Sequence, residues 1–183
     1  HKHTLPKFSF KILPLPYKLF LVTIAIFALG NFSDAFLFLR AQNVVIAPEL
    51  IPILYAISNI VFAGCATIFG RLADKIGPYK IMMGGYAIFA LTHIGFATIA
   101  SVSTVWLLFP MFGLFSAITE GVQKMVAVKI SDPELKGSML GLMHTTIGLV
   151  QLPAGIIAGL LWEKINVSVP FFFSSITAVI AII

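Results

Sequence analysis

Six stretches of this chain are continuously apolar for about the length that crosses a bilayer, and little else lies between them. They cover about 17–39, 50–69, 81–100, 104–128, 138–161 and 169–183. A helix needs about 20 mostly apolar residues to cross the hydrocarbon layer. Strands of a membrane barrel would alternate polar and apolar residues over about ten positions, and these runs do not. Composition agrees: 59% of the 183 residues are apolar and 10% charged, against about 45–50% and about 25% in a soluble domain. The expected fold class is therefore an all-α membrane protein with six transmembrane helices. Two features of the ends suggest a piece of a longer protein. The chain starts His1-Lys2-His3 without Met, and the sixth run is short for a span, with no polar flank after it. Residues 1–16, with three Pro and several Lys, read as a cytoplasmic linker into the bundle at 17–183.

The connections between the runs carry the charge, and its distribution predicts orientation. Lys and Arg accumulate in short loops on the cytoplasmic side. Lys2, Lys7, Lys11 and Lys18 precede the first run; Arg71, Lys75 and Lys80 follow the second; Lys124, Lys129 and Lys136 follow the fourth. Arg40 and Lys164 are left for the other side. Both ends are expected in the cytoplasm of a plasma membrane, and the net charge of +5 reads as topology rather than as a nucleic-acid surface. Cys65 is the single cysteine and sits in an apolar run, so neither a disulfide framework nor a Cys/His zinc cluster is expected. No His or carboxylate pair has metal-ligand spacing, and no phosphate-binding glycine loop occurs, so no metal and no cofactor is expected.

The stretch Gly70-Arg71-Leu72-Ala73-Asp74-Lys75-Ile76-Gly77-Pro78-Tyr79-Lys80 joins the second and third runs. Two glycines would let the backbone reverse tightly, and Asp74 could accept from main-chain donors at the start of the next helix. This stretch resembles the signature loop of the major facilitator superfamily of secondary transporters, Gly-x-x-x-Asp-(Arg/Lys)-x-Gly followed by basic residues. Gly70, Asp74, Lys75 and Gly77 match it, and Pro78 departs from the basic residue that often follows. The Lys/Pro stretch ahead of the first run, together with Gly30-Asn31-Phe32-Ser33-Asp34-Ala35-Phe36 and Ile118-Thr119-Glu120-Gly121, looks like the carboxy-terminal half of prokaryotic members. The resemblance implies two six-helix bundles facing each other, an amino-terminal half absent from this sequence, and a small solute moved by alternating access between them. It also implies that the first and fourth helices of a half line the central cavity.

Charged residues inside a span are costly, so each is a candidate site. Asp34 lies 16 residues beyond Lys18, about 24 Å along a helix, in the outer part of the first helix. There it is a candidate proton or cationic-substrate site, with Asn31 on the same face; a hydrated carboxylate paired with Arg40 is the alternative. Glu120 is expected toward the cytoplasmic side of the fourth helix, pairing with Lys124 or with Arg71 as a gate. His93 reads as a structural histidine. His144 and Gln151, seven apart on the fifth helix, read as substrate contacts or as polar links between helices. The glycines at 137, 141, 148, 155 and 159, and Gly113-Ala117-Gly121 on the fourth helix, form small-residue stripes suited to close packing, and Pro153 is expected to bend the fifth. Two other function classes fit a bundle of this kind less well: a non-transporting membrane sensor or partner-binding bundle, and a membrane enzyme acting on lipids, which would need clustered catalytic groups at one interface.

Overall fold

The computed structural model describes residues 13–44 and 46–182. The Lys/Pro stretch thus lies mostly outside the described residues. Seven α-helices follow one another: α1 Leu15–Gly30, α2 Ala35–Asn43, α3 Ile51–Ile76, α4 Pro78–Thr98, α5 Val102–Lys129, α6 Lys136–Lys164 and α7 Val169–Ile182, with a 3-10 turn at Pro48–Leu50 ahead of α3. Five stretches are long and apolar enough to cross a membrane, and α7 is a shorter apolar helix. The protein is an all-α membrane protein.

The first apolar run is two helices rather than one. Gly30, Asn31, Ser33 and Asp34 are all poor in a helix interior, and α1 stops at Gly30 while α2 begins at Ala35. A break at membrane depth leaves main-chain groups without helical partners, and these must be satisfied from within the protein. Two of them are: Asn31 N–H returns to the Phe27 carbonyl at 3.0 Å, and the Gly30 carbonyl accepts from Ser174 Oγ of α7 at 2.5 Å.

α4 is the central helix, with Tyr86, Phe89, His93 and Phe96 buried along it. It packs against α5 and α7, while α1 packs against α6 and α7, and α3 against α5. Because lipid is as apolar as the core, such contacts rest on close fit and on hydrogen bonds between helices. Ring stacking supplies part of the fit: Phe27 of α1 lies on Tyr86 of α4 with centroids 3.9 Å apart and planes at 5°, and Phe38 of α2 lies on Phe109 of α5 at 5.7 Å and 12°. Hydroxyls bridge the helices. Ser58 Oγ of α3 donates to the Phe109 carbonyl at 2.8 Å, and Ser175 Oγ of α7 to the Ala90 carbonyl at 3.0 Å.

The small-residue stripes divide. Gly113 is in close contact with the main chain of Ser58, so that position does join α5 to α3. Gly121 and the glycines of α6 at 137, 141, 148, 155 and 159 have nothing within 4 Å of where a β carbon would stand. Their stripe runs along a side of α6 that the bundle leaves open, and α6 buries only Met139, Met143, Ala154 and Ala158. The α6 helix is continuous through Pro153.

Candidate functional site

The break between α1 and α2 places Asp34 at the start of α2, where its side chain faces a cavity of about 120 Å³. Glu120 of α5 lines the same cavity. The sequence reading separates these two carboxylates, one outer and one cytoplasmic; the structure brings them together. The reason is the geometry of α3 and α5, which run side by side in the same direction. Ser58 is bonded to Phe109, and the α5 face that carries Phe112, Ser116 and Glu120 at four-residue spacing looks onto Tyr55, Asn59 and Phe62 of α3. Glu120 is thus a wall of the cavity under the Asp34 break.

Several expected partners change accordingly. Arg40 does not pair with Asp34: it is buried, its Nε donates to the Phe96 carbonyl at 2.9 Å, and one terminal nitrogen reaches the Ala97 carbonyl at 3.3 Å and Ser168 Oγ at 3.2 Å. Asn31 caps the end of α1 instead of sharing a helical face with Asp34, and it is not in the cavity wall. Glu120 makes no ion pair with Lys124 or Arg71; among the described residues the ion pair formed is Lys164–Glu163, exposed and 3.2 Å apart. One turn beyond Glu120, Lys124 faces a different cavity, of about 490 Å³, which it shares with Asp74, Gly77 and Lys129. Arg71 and Lys75 line a third depression away from both.

The signature stretch is mostly helix. Gly70, Arg71, Asp74 and Lys75 all lie in the last turns of α3, and the reversal is made by Gly77 alone, at φ 101°. Asp74 does not cap α4, whose first turn has no side-chain cap and begins with Pro78. A proline there costs nothing in hydrogen bonding, because the first N–H groups of a helix have no helical acceptor.

His144 and Gln151 are exposed on α6 and stand apart from the Asp34 cavity. His93 is buried, stacked on Phe89 with centroids 3.8 Å apart, and its Nδ1 is 3.0 Å from the Phe89 carbonyl. Gln123 donates to the Tyr86 hydroxyl at 3.2 Å. Sequence reasoning passed over Tyr55, Ser58, Asn59 and Ser116. The Ser58-Asn59 pair in an otherwise apolar run is the signal that could have found them, since an amide in a spanning helix needs a partner or a cavity.

A discontinuous first span, two carboxylates lining one cavity and a glycine-turned basic link are set in a bundle of apolar, membrane-length helices. Residues 18–183 match the Major Facilitator Superfamily, and the chain belongs to that family. It is 38% identical over 177 residues to an uncharacterized MFS-type transporter of Methanocaldococcus jannaschii, covering 93% of this chain and 44% of that protein. A second MFS-type transporter of the same organism is 25% identical over 146 residues, covering 80% of this chain and 38% of that protein. This chain therefore spans under half the length of the curated relatives it matches. A crystal structure of a mutant of the peptide transporter POT in complex with sulfate superposes with a TM-score of 0.69 at 14% identity, over 91% of this chain and 35% of that one, which establishes the shared fold.

Proposed function

We propose that this chain is the carboxy-terminal six-helix half of a secondary transporter, which works with an amino-terminal six-helix half to move a small solute by alternating access. The length ratio to the relatives supports the half, and so do the thinly covered α3 and α6, whose open faces would receive the other bundle. With ten of the twelve basic residues grouped on one side, both ends of residues 17–183 would face the cytoplasm, with residues 1–16 as the link between halves.

The observation that carries the functional reading is Asp34 lining a cavity at a break in an apolar span. Broken helices in transporters line solute and ion sites near the midplane. A carboxylate there is expensive unless it is protonated or paired, so taking up and releasing a proton at Asp34 would couple the cycle to a proton gradient. Asp74, Gly77 and Lys124, around the cavity at the inner ends of α3 and α5, would close the cytoplasmic side. The decisive test is transport by the full-length protein in vesicles with an imposed proton gradient. Asp34→Asn is expected to abolish gradient-driven movement while leaving exchange of preloaded solute; undiminished gradient-driven transport would end the reading.

A further inference from the structure

The break between α1 and α2 is held from both sides. Gly30, the last residue of α1, lies so close to α7 that a β carbon there would overlap Thr177 Oγ1 and stand 2.9 Å from Ser174 Cα. Its carbonyl accepts from Ser174 Oγ at 2.5 Å. Inside the break, Phe32 is buried, with its ring centroid 5.9 Å from that of Phe171 of α7 and 6.3 Å from that of His93 of α4. On the outer side, Arg40 ties α2 to the end of α4 and to Ser168, just ahead of α7. Phe171, Ser174 and Thr177 are all buried and recur at three-residue spacing, so one face of α7 receives the inner part of the break.

Ser174 and its neighbour Ser175 show what is particular about this hold. Each shares its hydroxyl hydrogen between the carbonyl four residues earlier, of Pro170 or Phe171, and a carbonyl of another helix. Ser175 reaches Ala90 at 3.0 Å inside α4, where a carbonyl already has its own helical N–H. Ser174 reaches Gly30 at the end of α1, where terminal carbonyls have none. Removing Ser174 Oγ therefore leaves the Gly30 carbonyl without its side-chain partner, whereas the Ala90 carbonyl keeps its helical bond when Ser175 is lost. A hinge needs residues free to absorb a change in φ and ψ, in a segment with few buried contacts. Gly30 and Phe32 are not free in that sense. We infer that the break is a fixed element of the bundle, seated on α7, and that Ser174 is the positioning residue that sets where Asp34 stands, four residues beyond Gly30. This rests on the reading of Asp34 as the proton-coupling group and adds the residue that places it. The outer end of α1, the break and α7 then move as one body when the two halves rock against each other.

The test is hydrogen–deuterium exchange of the purified full-length protein, read by mass spectrometry, with dicyclohexylcarbodiimide labelling of Asp34 and Glu120 quantified alongside. In Ser174→Ala, peptides across residues 31–38 should exchange about fivefold faster or more, and the ratio of Asp34 to Glu120 labelling should change about threefold or more, because a buried carbonyl has lost its donor and the break its seat. Gly30→Ala, which forces α1 away from the Ser174 main chain, should do the same. Ser175→Ala is the control, and both its exchange across the break and its labelling ratio should stay within about twofold of the parent values. Ser174→Cys, which keeps a weaker donor of similar size, should show the same changes at reduced size and reads the site if Ser174→Ala fails to fold. Unchanged exchange across 31–38 in both Ser174→Ala and Gly30→Ala, an unmoved labelling ratio, or equal effects from Ser174→Ala and Ser175→Ala would overturn the inference. Neither measurement needs transport, so the outcomes separate from those of the transport test. Undiminished gradient-driven transport in Asp34→Asn with a Ser174-dependent break would remove the proton reading and leave the fixed break standing. Lost gradient-driven transport with a Ser174-independent break would do the reverse.

Discussion

The Nε of Arg40 donates to the carbonyl of Phe96 across 2.9 Å, from the short helix α2 to the last turn of α4. The same guanidinium holds the Ala97 carbonyl and Ser168 Oγ, so one buried side chain fixes α2 both to the end of α4 and to the α6–α7 connection. The carbonyl end of a helix favours positive charge, which is why a buried arginine without a carboxylate partner is stable here. Hydrogen bonds from a charged donor contribute about 1.5–3 kcal/mol each. Arg40→Met should therefore lower the stability of the full-length protein by about 2–4 kcal/mol, read as a drop in its thermal unfolding midpoint in detergent. Arg40→Lys should restore only part of this, because a single ammonium lacks the planar fork that reaches three acceptors. Equal midpoints for Arg40→Met and the parent protein would contradict the role.

Gly113 fixes the approach of α5 to α3. A β carbon at this position would run into the main-chain carbonyl of Ser58, and a main chain cannot swing aside as a side chain can. Gly113→Ala should cost about 1–3 kcal/mol, the usual penalty for overpacking, and should loosen the wall that carries Glu120. The control is Gly84→Ala on α4, where nothing lies within 4 Å; a helical Gly→Ala change there should be neutral or stabilising by up to about 1 kcal/mol. Urea or thermal unfolding of both variants measures the contrast, and a neutral Gly113→Ala would argue against the tight contact.

The class of fold and the reversal between α3 and α4 were legible in the sequence because each depends on local composition: the length of the apolar runs, and a glycine closing a spaced motif. That Asp34 and Glu120 line one cavity was not. Distance along an ideal helix gives the wrong depth once the chain breaks at Asn31–Asp34 and once α3 and α5 run parallel in a register set by Ser58 and Gly113. The break itself was written in Gly30, Asn31, Ser33 and Asp34, but a continuous apolar run outweighs such residues when only length is scored. The partner of Arg40 was invisible for another reason. Main-chain carbonyls carry no sequence signal, so proximity in the chain favoured Asp34.

Gly77 turns the chain between α3 and α4 at φ 101° and ψ 135°, a region that side-chain-bearing residues avoid. The space around it is open, so the cost of a substitution is conformational and not steric. Gly77→Ala should destabilise by about 1–3 kcal/mol. Gly77→Asn should bring no rescue, because asparagine is tolerated at the left-handed helical conformation and not at this one. Thermal unfolding midpoints of the two variants decide the matter: a full recovery by Asn would mean the turn relaxes into another conformation.

Glu120 and Lys124 sit one turn apart on α5 and face different cavities, Glu120 with Asp34 and Lys124 with Asp74. Their variants should therefore separate in effect. Lys124 and Asp74 place opposite charges on one inner cavity without forming an ion pair, and a screened attraction of this kind contributes about 0.2–1 kcal/mol. If that attraction helps hold the cytoplasmic side closed, Lys124→Gln should raise the labelling rate of a cysteine placed at Val128, inside the same cavity, by a few-fold. The measurement uses a charged maleimide added from the cytoplasmic side in a Cys65→Ala background. Glu120→Gln should leave that rate near the parent value. An equal rise in labelling from Glu120→Gln would return Glu120 to the gate.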